Sequence, residues 1–368
     1  MELQPIAEES AKAAATSQQQ ASAAETAAHH LRKLCIACGK RSESENSDTA
    51  MLVAFAVRRL LRPSDLISVI HVSELPPLVM CAARHPACSA PSCMQREHGA
   101  RFSREHARHL RASGGRKHAT HYKHSESEWP AWMPTPLKAW HEQDNLTAYE
   151  LHASGSAAES IVDFVATELK PDLLVVGNRP RGTMARMFTA GVSSAVVEYA
   201  DVPTLIVRGV AAPLQLEGAE RRVAICLDGS TQCRKIVEWA AKTLLSPATD
   251  DVYLLHSPAG LEASQLLPAM GNIQSCRSFL LAQGFAERSV SPVELDFHTD
   301  ACDSIIDFLE ADTKPFEICV CGSRGLKGSL TRFLLGSLTR YLLLYAPCSL
   351  LVLPPAALGE AGEGGPAE

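Results

Sequence analysis

Short runs of apolar residues alternate along most of the chain with longer segments in which apolar residues recur every three or four positions. The short runs predict buried strands, and the three-to-four-residue recurrence predicts amphipathic helices. Their alternation predicts a parallel sheet with helices on both faces. In the first half of the chain, the pattern predicts strands at residues 33–38, 66–72, 147–152, 173–176 and 204–207, and helices at 49–61, 157–169 and 192–199.

The second half of the chain repeats this order of strands and helices. It predicts strands at residues 222–227, 252–256, 293–298, 317–321 and 349–353, and helices at 233–244, 272–283, 303–310 and 338–345. Two copies of one order indicate duplication. We therefore predict an α/β protein of two tandem Rossmann-like domains, residues 31–209 and 221–355, joined by a linker at 210–220. The flanking segments 1–30 and 356–368 are of low complexity and are predicted to be disordered tails.

One segment of the first domain, residues 73–145, has no counterpart in the second domain and shows little regular pattern. It holds eight of the fourteen histidines and is strongly basic in part. Long segments of this kind are usually either functional or disordered. A solvated loop is the simplest interpretation; a zinc site and a basic helix face for phosphate groups or an acidic partner are the alternatives. The zinc candidates, whose spacing fits no strong metal pattern, are Cys81, His85, Cys88, Cys93 and His98, and the basic face would hold Arg101, Arg104, Arg108 and Arg111.

Charge and composition argue against several classes of protein. A net charge of −6 and a pI near 6.2 make a protein built mainly to hold nucleic acid unlikely. The start of the chain lacks the apolar stretch of a secretory signal, so we expect a cytoplasmic protein. The uncharged stretch 341–358 imitates a membrane span, but Pro347, Pro354 and Pro355 interrupt it. We interpret it as a helix ending near Tyr345 followed by a buried strand, and we expect no membrane partner.

The chain has twelve cysteines. Several lie in strand-like apolar runs, and without a secretory context they are expected to be reduced and buried. Cys35 and Cys38 have the spacing of a redox pair. In an extended strand, however, the two side chains point to opposite faces, so a redox role is not expected.

A glycine-rich loop in the second domain follows one predicted strand and precedes a predicted helix. Glycines allow the backbone to approach a ligand closely, and a helix N-terminus offers unpaired N–H groups that suit phosphate. The order strand, loop, helix, strand strengthens this interpretation, although the loop matches neither of the common nucleotide patterns. The candidate binding residues of this loop and of the helix start are Gly322, Ser323, Arg324, Gly325, Lys327, Gly328, Gly336 and Ser337.

A carboxylate follows the first strand of the same domain. Ligands of parallel sheets bind beyond the carboxyl ends of the strands, so Asp228, with Gly229 and Ser230, is expected at the same edge as the glycine loop. Asp228 could accept a hydrogen bond from an adenine amino group or a ribose hydroxyl, or help to hold a phosphate-bound cation. Alternatively, it caps the next helix.

Asp228, His256 at the end of the second strand, and the runs from Val320 to Gly325, Leu335 to Ser337 and Ala346 to Val352 together resemble the universal stress protein family. The resemblance covers nearly all of the second domain and both ends of the first. It implies that each domain is a five-stranded parallel sheet. It also implies that the second domain binds ATP, with magnesium as an accompanying ion, through the glycine loop and the strand-one aspartate. Members of the family pair through their last strands, which implies pairing of residues 204–207 with 349–353 within the chain, or a homodimer.

The sequence departs from the family pattern in both domains. In the second domain, ten residues separate Gly325 from Gly336, one more than the family spacing. In the first domain, Gly39 stands in place of the strand-one aspartate, and Val192 in place of a hydroxyl residue. Pro180 replaces the second loop glycine and has no N–H to offer a phosphate. We therefore expect that the first domain does not bind ATP in the family manner.

Three hypotheses follow from these residues. The leading one is a regulatory protein that binds an adenine nucleotide in its second domain and serves stress response or signalling. The second is an interaction protein without nucleotide, which uses domain pairing and the basic insert. The third is slow ATP hydrolysis, for which no set of His, Cys or carboxylate residues stands out as a general base.

Overall fold

A computed structural model gives the fold of the chain. It describes residues 32–38, 55–56, 60–62, 65–74, 119–122, 145–153, 156–177, 191–208, 220–296, 300–311, 314–323 and 335–359.

Within these residues, eleven strands form one sheet. In chain order they are β1 (Lys33–Cys38), β2 (Leu66–Glu74), β3 (Ala119–Tyr122), β4 (Leu146–Ala153), β5 (Leu173–Gly177), β6 (Thr204–Val207), β7 (Arg221–Leu227), β8 (Asp250–His256), β9 (Val290–Glu294), β10 (Ile318–Gly322) and β11 (Ser349–Leu353).

The helices of the described residues lie between these strands. They are α1 (Ala157–Phe164), which continues into a π-helical turn (Val165–Leu169), α2 (Val192–Tyr199), α3 (Cys233–Thr243), α4 (Ala263–Ala282), α5 (Ala301–Glu310) and α6 (Ser337–Tyr345). Short 3-10 turns occur at Glu287–Ser289 and Pro355–Leu358. The predicted helix at 49–61 lies largely outside the described residues.

The strand order is β3-β4-β2-β1-β5-β6-β11-β10-β7-β8-β9. Each half contains five parallel strands, as predicted for a tandem α/β protein. The strands are apolar runs because both faces of the sheet are covered, which is typical of parallel sheets.

The basic insert contributes a strand to the sheet, which corrects its interpretation as a segment without regular structure. Strand β3 pairs antiparallel with β4, with Ala119 opposite Leu151 and Tyr122 opposite Ala148. It lies at the edge of the first domain. The segment was missed because four residues that include Thr120 and His121 carry too little apolar pattern to be distinguished from a loop.

The two domains join through their last strands. Strand β6 pairs antiparallel with β11, with Ile206 opposite Leu350 and Thr204 opposite Val352. The six strands of the first domain and the five of the second are therefore continuous within the chain.

Apolar side chains pack on both faces of this sheet. One core cluster includes Ile36 and Cys38 together with Val237 of α3 and Ile273 of α4. The cluster on the opposite face includes Cys35 and side chains of α5 and α6. Cys35 and Cys38 thus point to opposite faces, and burial raises the pKa of the Cys38 thiol to about 12. Among the described cysteines every thiol is free, and the strand cysteines are buried, as the sequence predicts.

A buried ion pair is repeated at the start of each domain. Arg32 contacts Asp65, with 2.5 Å between Nη2 and Oδ2. Arg221 contacts Asp250 in the same way, also at 2.5 Å. Each arginine also donates to a carbonyl at the end of a helical segment of its own domain, Leu60 for Arg32 and Leu244 for Arg221. The two ion pairs occupy matching positions. Arg221 is paired with Asp250 at the start of β7 and β8, and Arg32 and Asp65 stand one residue before the paired Lys33 and Leu66 of β1 and β2. The repeat therefore follows from the sequence duplication.

The largest differences from the predicted bounds of the second domain occur in three segments. Helix α4 begins at Ala263, not at 272, because its interior Pro268 is tolerated within the helix. Strand β9 spans Val290–Glu294, not 293–298, because Pro292 is accepted in an edge strand. The ordered chain also runs past residue 355, since Leu358 of the 3-10 turn packs into the core.

The uncharged stretch that imitates a membrane span divides as predicted. Helix α6 ends at Tyr345, and β11 begins at Ser349. Among the described residues, no helix combines the length and the apolar character needed to cross a membrane.

Candidate functional site

The loop after β7 holds Asp228, Gly229 and Ser230. The Asp228 carboxylate accepts a hydrogen bond from the Ser230 backbone N–H at 3.0 Å and from the Cys233 thiol at 3.3 Å. Burial, and then the negative charge of Asp228, raises the pKa of the Cys233 thiol to about 12, so the thiol keeps its proton at neutral pH. Asp228 is half-buried. These bonds fix the turn before α3, whose N-cap residue is Gln232 and not Asp228.

Gly229 is held closely against α4. Its φ is +78°, and a Cβ at this position would lie 2.5 Å from the Cβ of Ala269. The Asn272 side-chain amide donates to the Gly229 carbonyl at 2.7 Å. The loop position is thus determined by glycine at 229, by a small residue at 269 and by one amide. No pattern in the sequence points to Asn272, because its partner is a backbone atom.

The end of β10 and the start of α6 are joined by backbone hydrogen bonds. The Ser323 N–H donates to Leu353 O, and the Gly336 N–H donates to Ser323 O, both at 2.8 Å. The Thr339 hydroxyl donates to Gly322 O at 2.9 Å. These bonds bring the two ends of the glycine loop together, so Gly322, Ser323, Gly336 and Ser337 lie in one place.

Helix α6 begins without a capping side chain. Its N-cap is Gly336, which has no side chain to accept a hydrogen bond, and its first turn holds no acidic residue. By contrast, Ser156 caps α1 and Asp300 caps α5 through side-chain oxygens. As far as the described residues show, first-turn N–H groups and the positive end of the helix dipole are left for an anion.

The two loops belong to neighbouring strands. Strand β7 pairs with β10 on one side and with β8 on the other. From β7 the chain continues to β8, whereas β10 continues to β11, so the strand order reverses between β7 and β10. Ligands of open α/β sheets bind at such a reversal, beyond the carboxyl ends of the strands. The loop at Asp228 and the loop at Gly322 lie on the two sides of this point.

His256 at the end of β8 lies next to the Asp228 loop. Its side chain is buried, with 2% of its surface exposed. Its Nδ1 bonds the Leu227 carbonyl at 3.0 Å, while the buried Nε2 has no hydrogen-bond partner among the described residues. Since a carbonyl only accepts, Nδ1 donates, and Nε2 of the neutral ring is an acceptor. An acceptor left without a partner inside a protein costs about 1–3 kcal/mol, so a donor from a ligand or a water would be stabilising here.

Several predicted residues lie outside the described part of the chain. They are Arg324, Gly325, Lys327 and Gly328 of the second-domain loop, Gly39 and Pro180 of the first domain, and both the zinc candidates and the basic-face arginines of the insert. In the first domain, Val192 occupies the first position of α2 after Gly191, matching Ser337 after Gly336, and it is 47% exposed. Among the described residues, no group of three or more His, Cys, Asp or Glu side chains is placed to hold a metal ion.

The sequence and the fold were compared with known proteins. The sequence model of the universal stress protein family matches residues 97–208 and 220–354. A universal stress protein from Archaeoglobus fulgidus DSM 4304 is similar in structure at 15% identity and a TM-score of 0.49, over 87% of this chain and 96% of that chain. A shorter universal stress protein from Archaeoglobus fulgidus is 20% identical with a TM-score of 0.29, and the match covers 36% of this chain and 93% of that chain. A universal stress protein solved in complex with cAMP is 16% identical with a TM-score of 0.26, and the match covers 37% of this chain and 98% of that chain. Among curated proteins, no match was found.

Proposed function

Because the chain belongs to the universal stress protein family, we propose that its second domain binds ATP or a related adenine nucleotide and that the protein acts in stress response or signalling. The observation that carries this proposal is the uncapped start of α6 at Gly336 and Ser337, placed across the strand reversal from Asp228. The fold alone would not assign a ligand, since one fold serves many functions.

In this proposal the nucleotide would contact two loops. The first-turn N–H groups of α6 would donate to phosphate oxygens, as helix N-termini do in other phosphate sites. Asp228, held half-buried by Ser230 and Cys233, would accept from an adenine amino group or a ribose hydroxyl. Magnesium would accompany the phosphates. It would neutralise part of their charge and take most of its ligands from phosphate and water, which suits a site without a carboxylate cluster among its described residues.

Ser337→Pro is expected to weaken ATP binding about tenfold or more, because a charge-assisted hydrogen bond contributes roughly 1.5–3 kcal/mol. Proline at the first helical position keeps the helix and removes one N–H. The preceding Gly336 has ψ of 159°, which a following proline accepts. Calorimetric titration with ATP and magnesium measures the effect, and Ser337→Ala separates the hydroxyl from the N–H.

Val192→Pro is the matched control, since Val192 holds the first position of α2 after Gly191, with ψ of 166°. It should leave the affinity unchanged. Equal binding by the Ser337→Pro variant and the unchanged protein would remove α6 from the site. Absence of binding of ATP, ADP, AMP and cAMP at millimolar concentration to the unchanged protein would end the proposal.

We further propose that the two domains pair with each other and not with a second chain. The antiparallel bonding of β6 to β11 supports this, because both last strands are then occupied within one chain. A protein of this kind is expected to run as a species of about 39.6 kDa in size-exclusion chromatography with light scattering. A stable dimer that survives dilution would favour pairing between chains. We also propose a cytoplasmic location. The alternative to nucleotide binding is that the paired domains act as a scaffold and recruit a partner through the basic insert.

A further inference from the structure

The helix that opens the candidate nucleotide site is held at its other end by the first domain. Arg208 follows β6, and its guanidinium donates to Leu342 O at 2.9 Å, to Leu343 O at 2.5 Å and to Ala346 O. These carbonyls belong to the last turn of α6. A cation at this end is stabilising because the carbonyl end of a helix carries a partial negative charge.

The other loop of the site is followed by a helix with the same kind of contact. Helix α3 begins at Cys233, directly after the Asp228 loop, and ends at Thr243. Arg32 of the first domain donates from Nη1 to the Thr243 carbonyl. Both helices that lead from the candidate site are therefore bonded at their carboxyl ends by an arginine of the first domain.

The arrangement is asymmetric between the domains. Val207 pairs with Gly177 as Leu353 pairs with Gly322, so Pro354 occupies the position in the second domain that matches Arg208. Proline has no side-chain donor. Arg32 and Arg221 both also donate to a carbonyl of their own domain, Leu60 O and Leu244 O, so the difference between the domains lies at Arg208.

We propose that Arg208 is a positioning residue for nucleotide binding in the second domain, and that the first domain serves to fix the helices of the other domain's site. This inference rests on the proposed function. Helix α6 has nine residues, or about 13 Å at 1.5 Å per residue. A helix this short moves as one body, so bonds at its last turn fix the position of its first-turn N–H groups. An anion at one end and a cation at the other also stabilise the same helix dipole.

The test compares three variants in the full chain. Arg208→Gln is expected to weaken ATP binding about three- to tenfold, within the range of charge effects at helix ends. Arg208→Lys should recover part of this loss because it keeps the charge but cannot span three carbonyls. Arg277→Gln is the matched control: it removes the same charge from α4, where Arg277 contacts the exposed Glu287, and should leave the affinity unchanged.

Hydrogen exchange of the peptide covering residues 335–346, measured without nucleotide, separates this inference from the proposed function. In Arg208→Gln we expect faster exchange there, with no change in Arg277→Gln. If the unchanged protein binds ATP and Arg208→Gln binds it equally well while folded, the positioning role is overturned. If no nucleotide binds the unchanged protein, the proposed function fails. In that case, unchanged exchange in Arg208→Gln overturns the positioning role as well. Faster exchange in Arg208→Gln would instead support a positioning role of Arg208 for an anion other than a nucleotide. Thermal unfolding shows whether Arg208→Gln folds, and Arg208→Lys replaces it if it does not.

Discussion

Asp250→Asn is expected to lower the free energy of unfolding by about 3–5 kcal/mol, the usual cost of removing one partner of a buried ion pair. Both side chains are almost inaccessible, with 5% of Arg221 and none of Asp250 exposed. The asparagine keeps the shape of the side chain but removes the negative charge that Asp250 places against the buried Arg221 guanidinium. Asp250 also accepts from the Ser246 N–H at 2.8 Å, so the turn before β8 loses a charged acceptor. Denaturant unfolding followed by circular dichroism measures the change.

Glu238→Gln is the matched control for Asp250→Asn. Glu238 contacts Arg234 at 2.7 Å on the surface of α3, where 39% of Arg234 and 47% of Glu238 are exposed. Exposed pairs of this spacing contribute about 0.3–0.5 kcal/mol. A cost for Asp250→Asn as small as that of Glu238→Gln would show that water reaches the buried pair. Asp65→Asn extends the comparison to the first domain, where the Arg32–Asp65 pair is equally buried.

The fold could be predicted where the apolar pattern is strong. Strands β1, β6 and β11 have the predicted bounds, because each is a short, nearly continuous apolar run between turn residues. The errors have local physical causes. The predicted starts of β9 and α4 lie after Pro292 and Pro268, but an edge strand accepts the first proline, and a helix that buries Ile273 and Cys276 accepts the second. Burial by neighbouring elements decided these positions, and the sequence pattern of the segment itself does not contain that information.

The candidate site could be predicted in its parts but not in its contacts. The order of elements placed Asp228 and the glycine loop at one edge of the sheet, and the pairing of β7 with β10 agrees. The sequence did not indicate that Ala269 and Asn272 of α4 hold the Asp228 loop, since α4 was expected to begin at 272. Nor did it indicate Arg208, whose partners are three backbone carbonyls. A contact with backbone leaves no residue pattern at the partner's position.

Gly229→Ala is expected to lower the free energy of unfolding by about 2–5 kcal/mol and to weaken nucleotide binding together with it. A φ of +78° costs an L-residue about 1–2 kcal/mol. The new Cβ would also lie 2.5 Å from the Ala269 Cβ and 3.1 Å from its Cα, and overpacking of this kind adds about 1–3 kcal/mol. Because the Ala269 backbone cannot move without α4, the Asp228 loop must shift. Denaturant unfolding and ATP titration measure the two effects.

Gly260→Ala separates the two contributions, because Gly260 also has φ of +78° and no atom lies within 4 Å of its added Cβ. It should show the backbone cost alone, about 1–2 kcal/mol, with unchanged affinity. Ala269→Gly alone should cost about 1 kcal/mol, the usual penalty for glycine in a helix. Because it removes the atom closest to the new Cβ, the double variant Gly229→Ala/Ala269→Gly should lose less stability than the sum of the two single changes. If Gly229→Ala is no more destabilising than Gly260→Ala, and the double variant shows no coupling, then α4 does not press on the loop. The position of Asp228 would then depend on other contacts of the loop, such as its bonds to Ser230 and Cys233.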